Sequence, residues 1–237
     1  MLTVDFTHFP LARGDKLLDL GCGEGRHAIN AYIAGDVDVY GVDLSLKDLA
    51  ASRERFTPFN TGSKHKSFHL QCANALALPF ADHSFDKIIC SEVLEHLPDY
   101  QGALREIQRV LKPGGLLAIS VPRAWPERIC WHYSSAYHQV EGGHVRIFNA
   151  AQLNQEVQQH GFIRYKKHWA HALHSPFWWL KCMLWDTQDS SRLIAWYHKL
   201  LVWDLMQKPW LTRTLEKLLN PLMGKSVVMY YRTEESQ

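Results

Sequence analysis

The segment LLDLGCGEGRH (17–27) carries the strongest chemical signal in the chain. Gly21, Gly23 and Gly25 alternate through a turn where glycine lets the backbone bend and a ligand approach without Cβ interference. A helix starting beyond the loop would offer unpaired N–H groups to a carboxylate or other anion. Asp43 lies 22 residues past Gly21, at the end of the next apolar run. A carboxylate there accepts bonds from both hydroxyls of a ribose. The spacing separates two ligands. A GxGxxG dinucleotide fingerprint requires glycine at position 26, which is Arg26 here. The observed GxGxG, with the acid Asp19 two residues ahead, suits a ligand that has an ammonium group and no pyrophosphate.

These residues need a sheet to place them. KLLDLG (16–21) is a short apolar run stopped by glycines, as expected of a strand buried on both faces. DVYGVDL (38–44), KSFHLQCA (66–73), FDKIICS (85–91) and GLLAISVP (115–122) read as further strands. Residues 26–34 read as a helix ended by Gly35, and LKDLAASRERF (46–56) as one capped by Ser45. DYQGALREIQRVLK (99–112) predicts a helix capped by Asp99 and stopped by Pro113-Gly114-Gly115. This βαβ alternation implies a parallel, doubly wound sheet. Beyond it, 123–148 reads as an irregular or short-helical insertion on the substrate side. NAAQLNQEVQQHG (149–161) predicts a helix capped by Asn149. FIRYKKHWA (162–170) and KSVVMYYR (225–232) read as strands, and 175–223 as helix-like. If the last two strands pair, 171–224 is a helical insertion over the sheet's edge or its ligand crevice. No repeat or linker interrupts the chain, so 1–237 reads as one domain with a cofactor-binding core at 14–122.

DLGCGEG, Asp43, NALALPFADHSFDKIICSEVLEHL and LKPGGLLAISVP, in that order, resemble a class I S-adenosylmethionine-dependent methyltransferase. The nearest group is the type-11 kind, which includes the ubiquinone and menaquinone biosynthesis methyltransferases. The likeness covers about residues 14–122 and, weakly, 144–170. It implies an α/β fold with a Rossmann-like seven-stranded methyltransferase sheet and S-adenosyl-L-methionine as cofactor. It implies that the Gly21–Gly25 loop wraps the methionine part, with Asp19 near the amino group. Asp43 would hold the ribose, and Leu44 would pack on the adenine. At Asn74-Ala75 the family usually has Asp first, contacting the adenine amino group; Asn74 departs from that, though its carbonyl can accept the same bond. Ser91 and Glu92 would meet the methionine moiety, and His96 would lie beside the crevice. A tight strand–helix turn without a ligand is the plain alternative for the glycines. Helix capping and surface contacts are the plain alternative for Glu95 and His96.

Methyl transfer from a sulfonium expels a neutral thioether, so the leaving group needs no acid. Alignment and desolvation then carry much of the catalysis. A base is required only where the acceptor must lose a proton. His96, His132, His138 and His144 are candidates, and His96 and His144 are the pair assigned to catalysis. His144 sits in GGHVRIF, which resembles a family segment that precedes the next helix. With 14 histidines in the chain, a surface or structural role competes for each. No His–Glu pair has liganding spacing, so no metal is expected.

Composition narrows the rest. Hydrophobic residues make up 46% and charged residues 21%, which excludes a disordered chain. A formal charge of +2 gives no basic field for nucleic acid. Five cysteines without a CxxC pair fit a reducing cytoplasm, and no signal peptide or membrane-spanning run is visible. All nine Trp lie from Trp125 onward. SPFWWLKCMLW (175–185) and RLIAWYHKLLVWDLM (192–206) are unusual, and the second is apolar around most of the helix, with only His198, Lys199 and Asp204 interrupting. They read as a lid packed on its own tryptophans, as a pocket for a lipid-like or quinone-like acceptor with peripheral contact to the inner face of the membrane, or as a self-association face. The chain therefore reads as a methyltransferase for a small, apolar acceptor. A nicotinamide-dependent (NAD(P)) oxidoreductase and a non-catalytic methyltransferase-like binding protein are the rivals.

Overall fold

The structure is a computed structural model that describes residues 2–60, 62, 65–140 and 142–234. Strand β1 (Lys16–Leu20) runs into the glycine loop and then helix α1 (Arg26–Ala34). Strand β2 (Asp38–Asp43), helix α2 (Leu46–Phe56) and strand β3 (Phe68–Cys72) complete the first half of the sheet. Strand β4 (Phe85–Ser91), helix α3 (Tyr100–Val110) and strand β5 (Leu111–Pro122) begin the second. Helices α4 (Ala124–Tyr133), α5 (Ala136–Gln139) and α6 (Ala150–Gln159) lead to strand β6 (Phe162–Ala170). Helices α7 (His174–Met183), α8 (Arg192–Gln207) and α9 (Trp210–Met223) precede the last strand, β7 (Ser226–Thr233).

The sheet order is β3-β2-β1-β4-β5-β7-β6. Successive residues of β1 point to opposite layers: Leu17 joins Tyr32 of α1 and Phe56 of α2, while Leu18 joins Leu104 of α3 and Val157 of α6. The chain reverses its strand order between β1 and β4, which opens a crevice at their carboxyl ends. The side-chain caps fall where the sequence places them. Ser45 accepts from Asp48 N–H, Asp99 from Gly102 N–H, and Asn149 from Ala151 and Gln152 N–H.

The five strands of the βαβ half pair in parallel, as that alternation implies, and β7 inserts between β5 and β6, antiparallel to both. Two readings of the helices need correction. Helix α3 stops at Val110, not at 112. Leu111 already pairs with Phe85, and the register then slips before Leu116 meets Lys87. Lys112–Gly115 is thus an irregularity within β5, where Gly114 (φ 72°) donates its N–H to the Glu234 carbonyl. The apolar stretch 175–223 divides into three helices. Ser191 caps α8, and Lys208 in the left-handed region (φ 47°), followed by Pro209, ends it.

The 171–224 insertion lies over the sheet edge. Helix α7 packs on α4, where Trp179 Nε1 donates to the Pro126 carbonyl at 3.1 Å, and α9 packs on β6. Phe177, Ile194 and Leu201 form its small core. Trp196, Trp203 and Trp210 are not part of that core; all three face solvent.

Candidate functional site

The glycine loop is tied to its neighbours by the backbone. Gly21 and Cys22 N–H both donate to the Val42 carbonyl, at 2.7 and 2.9 Å. Gly21 (φ 70°) and Gly25 (φ 84°) occupy the left-handed region, and a Cβ at either would meet Val93 at 2.3 Å or Ser52 at 2.2 Å. A Cβ at Gly23 would meet nothing within 4 Å, so the middle of the loop faces open space.

Asp43 Oδ2 accepts from Gly23 N–H and Oδ1 from Ser45 N–H, both at 2.8 Å. Each oxygen keeps a lone pair for a hydroxyl. Beside it lies a cavity of about 450 Å³ walled by Gly21, Asp43, Leu44, Ala75, Glu92 and His96, among others. A second hollow of about 610 Å³ shares Gly21 and Glu92 with it and adds Gly23, Gly25 and Ser91. A third hollow, about 620 Å³, lies between the N-terminal segment, β6 and α9 and meets none of the glycine loop.

The remaining expected cofactor residues are placed less directly. Asp19 lies beneath the loop, 1% exposed, and its Oδ2 accepts from Ala28 N–H at 2.8 Å. It thus caps α1 and is not on either cavity wall. Burial raises its pKa to about 7, against the Ala28 bond and the Arg26 charge. Asn74 is exposed, and its Oδ1 accepts from Leu76 N–H at 2.9 Å; its neighbours Ala73 and Ala75 form the wall. Ser91 Oγ bonds Ser120 Oγ at 2.8 Å.

Glu92 lines both hollows. It adopts φ 57°, rare for a side-chain-bearing residue, with its N–H on the Ser120 carbonyl and its Oε1 accepting from Ser120 Oγ.

The fold brings His96 and His144 together, with ring centroids 4.9 Å apart. His132 and His138 are left outside: His132 meets Tyr133 edge-on in solvent, and His138 stacks on Trp131. Burial, then the neighbouring His144, lowers the His96 pKa. Sequence reasoning missed Glu127, a buried carboxylate on α4. Its Oε1 sits 2.5 Å from His144 Nδ1 and accepts from Trp131 Nε1 at 3.1 Å. Tyr137 O–H donates to Oε2 at 3.4 Å. Burial opposes the Glu127 charge most strongly, but the bond to His144, the His144 and Lys225 charges and the Trp131 bond together hold its pKa below the ordinary carboxylate value. No spacing signal links positions 127 and 144; only the fold joins them. Tyr137 also meets Trp178 and Trp185, so an aromatic wall runs from His144 to the helical insertion.

A seven-stranded sheet of this order, with a glycine loop after β1 and an acid ending β2, defines the class I methyltransferase architecture. Residues 18–119 match the family described as a methyltransferase domain. Those residues are a type-11 class I methyltransferase domain, of the class whose methyl donor is S-adenosylmethionine. The chain is 39% identical over 110 residues to 27-O-demethylrifamycin SV methyltransferase of Amycolatopsis mediterranei, covering 46% of this chain and 39% of that one. It is 41% identical over 110 residues to demethylmenaquinone methyltransferase of Corynebacterium urealyticum, covering 46% and 43%. A sterol 24-C-methyltransferase of Aspergillus fumigatus is 28% identical over 206 residues, 84% of this chain and 49% of that one. The chain thus spans under half the length of these curated relatives. Among solved structures, the [4+2]-cyclase SpnF superposes with a TM-score of 0.65 at 20% identity, over 98% of this chain and 78% of that one. The YcgJ protein of Bacillus subtilis gives 0.62 at 19%, over 96% and 95%.

Proposed function

We propose that this protein transfers the methyl group of S-adenosylmethionine to a small, apolar acceptor of lipid-like or quinone-like character. The observation that carries the reading is the cavity between Gly21 and Asp43, with both Asp43 oxygens held at its edge by backbone N–H groups. Asp43 would hold the ribose, Leu44 and Ala75 the adenine, and the glycine loop with Ser91 and Glu92 the methionine end. Asp19 would act through the loop it supports. S-adenosylmethionine supplies an electrophilic methyl carbon: a bond from the acceptor forms as the C–S bond breaks, and the electron pair leaves on a neutral thioether. Where the acceptor is a hydroxyl, its proton must leave, and His96 and His144 are the titratable groups at that end.

The acceptor class rests on the aromatic wall of Tyr137, Trp178 and Trp185 beside His144. Relatives named for quinone and sterol substrates support it. One structural neighbour is named as a cyclase, so fold alone does not fix the reaction. The reading places the protein in the cytoplasm, touching the inner face of a membrane through 171–224. Among the described residues no helix is long and apolar enough to cross a membrane.

Separate calorimetric titrations with S-adenosylmethionine and NADH test the cofactor. Binding of the first alone is expected, and binding of NADH alone would sink the proposal. Asp43→Ala should weaken S-adenosylmethionine binding by about 1–3 kcal/mol, the cost of stranding hydrogen-bonding groups. Release of S-adenosylhomocysteine on incubation with a cell extract separates an enzyme from a binding protein.

A further inference from the structure

Glu95 sits directly before His96 and has no exposed surface. Among the described residues, neither of its carboxylate oxygens meets a hydrogen-bond donor. An isolated buried carboxylate is strongly disfavoured, so it must take up a proton or meet a cation. The groups that face it decide between the two outcomes. One ligand-capable atom each from Glu95, His96 and His144 lies within 4.8 Å of the others.

We propose that Glu95, His96 and His144 bind a divalent transition-metal cation at the end of the cofactor cavity. Both rings commit Nδ1 to the protein: His96 to the Gly143 carbonyl at 3.3 Å, and His144 to Glu127 at 2.5 Å. That leaves Nε2 of each as the ligating atom. A histidine that ligates a metal through one nitrogen and meets a carboxylate through the other has its tautomer and ring angle fixed. Glu127 is that carboxylate, and its own oxygens are engaged by His144, Trp131 and Tyr137, so it is a positioning residue. Two imidazoles and one carboxylate suit Zn²⁺, Co²⁺ or Fe²⁺ better than Mg²⁺, and they leave coordination positions open. Ligand bonds of about 2.0–2.2 Å require the three atoms to close to roughly 3.3 Å, a side-chain adjustment. His96 lines the cavity, so an open position would face an acceptor oxygen and lower its O–H pKa. The two histidines would then act as ligands, and the hydroxyl proton would pass to water. Cation binding stands apart from methyl transfer; only its use on an acceptor rests on the proposed function.

The test is Co²⁺ and Zn²⁺ binding to the untagged, chelator-treated full chain without cofactor. Wild type should take up one equivalent of Co²⁺ with visible d–d absorption, and Zn²⁺ should displace it. Glu95→Gln and His144→Ala should each weaken binding at least tenfold. Glu127→Gln, which removes no ligand, should weaken it about 10–100-fold. S-adenosylmethionine affinity of Glu127→Gln, measured separately, should match wild type, so failure of the metal site and failure of the cofactor reading are distinguishable. Substoichiometric, featureless Co²⁺ binding by wild type, or unchanged affinity in Glu95→Gln, overturns the proposal. Should the variants fail to fold, Zn²⁺ titration of wild type must still shift the imidazole ¹⁵N resonances of His96 and His144, and unmoved resonances overturn it equally.

Discussion

Asp19 shows how one residue joins stability to the site. Its carboxyl is buried under the glycine loop, and its folded pKa of about 7 exceeds the ordinary value of 3.8. The folded state therefore holds the proton more tightly than the unfolded chain. The resulting stabilisation is fully present below about pH 4 and is lost as pH rises through 7, by an amount on the order of 4 kcal/mol. Asn at this position keeps an oxygen for Ala28 N–H and cannot ionise. Asp19→Asn should thus flatten the fall in stability between pH 5 and pH 8 in urea unfolding without cofactor. An equally steep fall in both proteins would remove Asp19 as its source. At this scale the sequence was most legible where spacing along the chain encodes geometry, as in Gly21, Gly23, Gly25 and Asp43. It was silent on Glu127 and on the environment of Glu95, because burial and partners 17 or 49 residues away leave no local pattern.

The loop between β1 and α1 separates two uses of glycine. At Gly25 an added methyl meets Ser52 Oγ at 2.2 Å and the backbone is left-handed. The conformational cost of about 1–2 kcal/mol adds to an overpacking cost of about 1–3 kcal/mol. At Gly23 the backbone is also left-handed, but the methyl meets nothing. Gly25→Ala should therefore lower stability by roughly 2–5 kcal/mol, and Gly23→Ala by about 1–2 kcal/mol. Gly23→Ala should lose at least tenfold in S-adenosylmethionine affinity, because its methyl projects where the cofactor approaches. Paired urea unfolding and calorimetry check this; equal stability losses would refute the packing account. Helices α2, α3 and α6 begin at the side-chain caps the sequence marks, whereas the Ser191 cap of α8 lies inside a stretch that reads as continuously helix-like. The end of α3 was misread because Pro113-Gly114-Gly115 marks a helix stop and a strand bulge alike.

At the scale of the whole molecule, the sequence carried the sheet and its insertion, but not which surface the insertion leaves uncovered. Leu211, Leu215, Leu218 and Leu222 of α9 recur at helical spacing and are 62%, 43%, 68% and 67% exposed, while Glu216 on the same helix is buried. Trp196 and Trp203 of α8 and Trp210 of α9 are exposed as well, at 62%, 48% and 77%. Of the acids in 171–224, Asp204 and Glu216 are buried, leaving Asp186 and Asp189 exposed beside Lys181, Arg192, Lys199, Lys208, Arg213 and Lys217. The segment thus exposes apolar side chains together with net positive charge, which suits an anionic lipid surface. Each tryptophan has about 150–250 Å² of surface. Covering roughly 100 Å² of one contributes about 2–3 kcal/mol. The wild-type protein should therefore float with phosphatidylcholine vesicles containing phosphatidylglycerol, more weakly at high salt, and its tryptophan emission should shift to the blue. Replacing Trp196, Trp203 and Trp210 with Ser should cut the bound fraction at least tenfold without unfolding, since all three lie outside the core. Equal flotation of both proteins, or of neither, would sink the membrane contact. A sedimentation dimer abolished by the same substitutions would assign the face to a second copy of the chain.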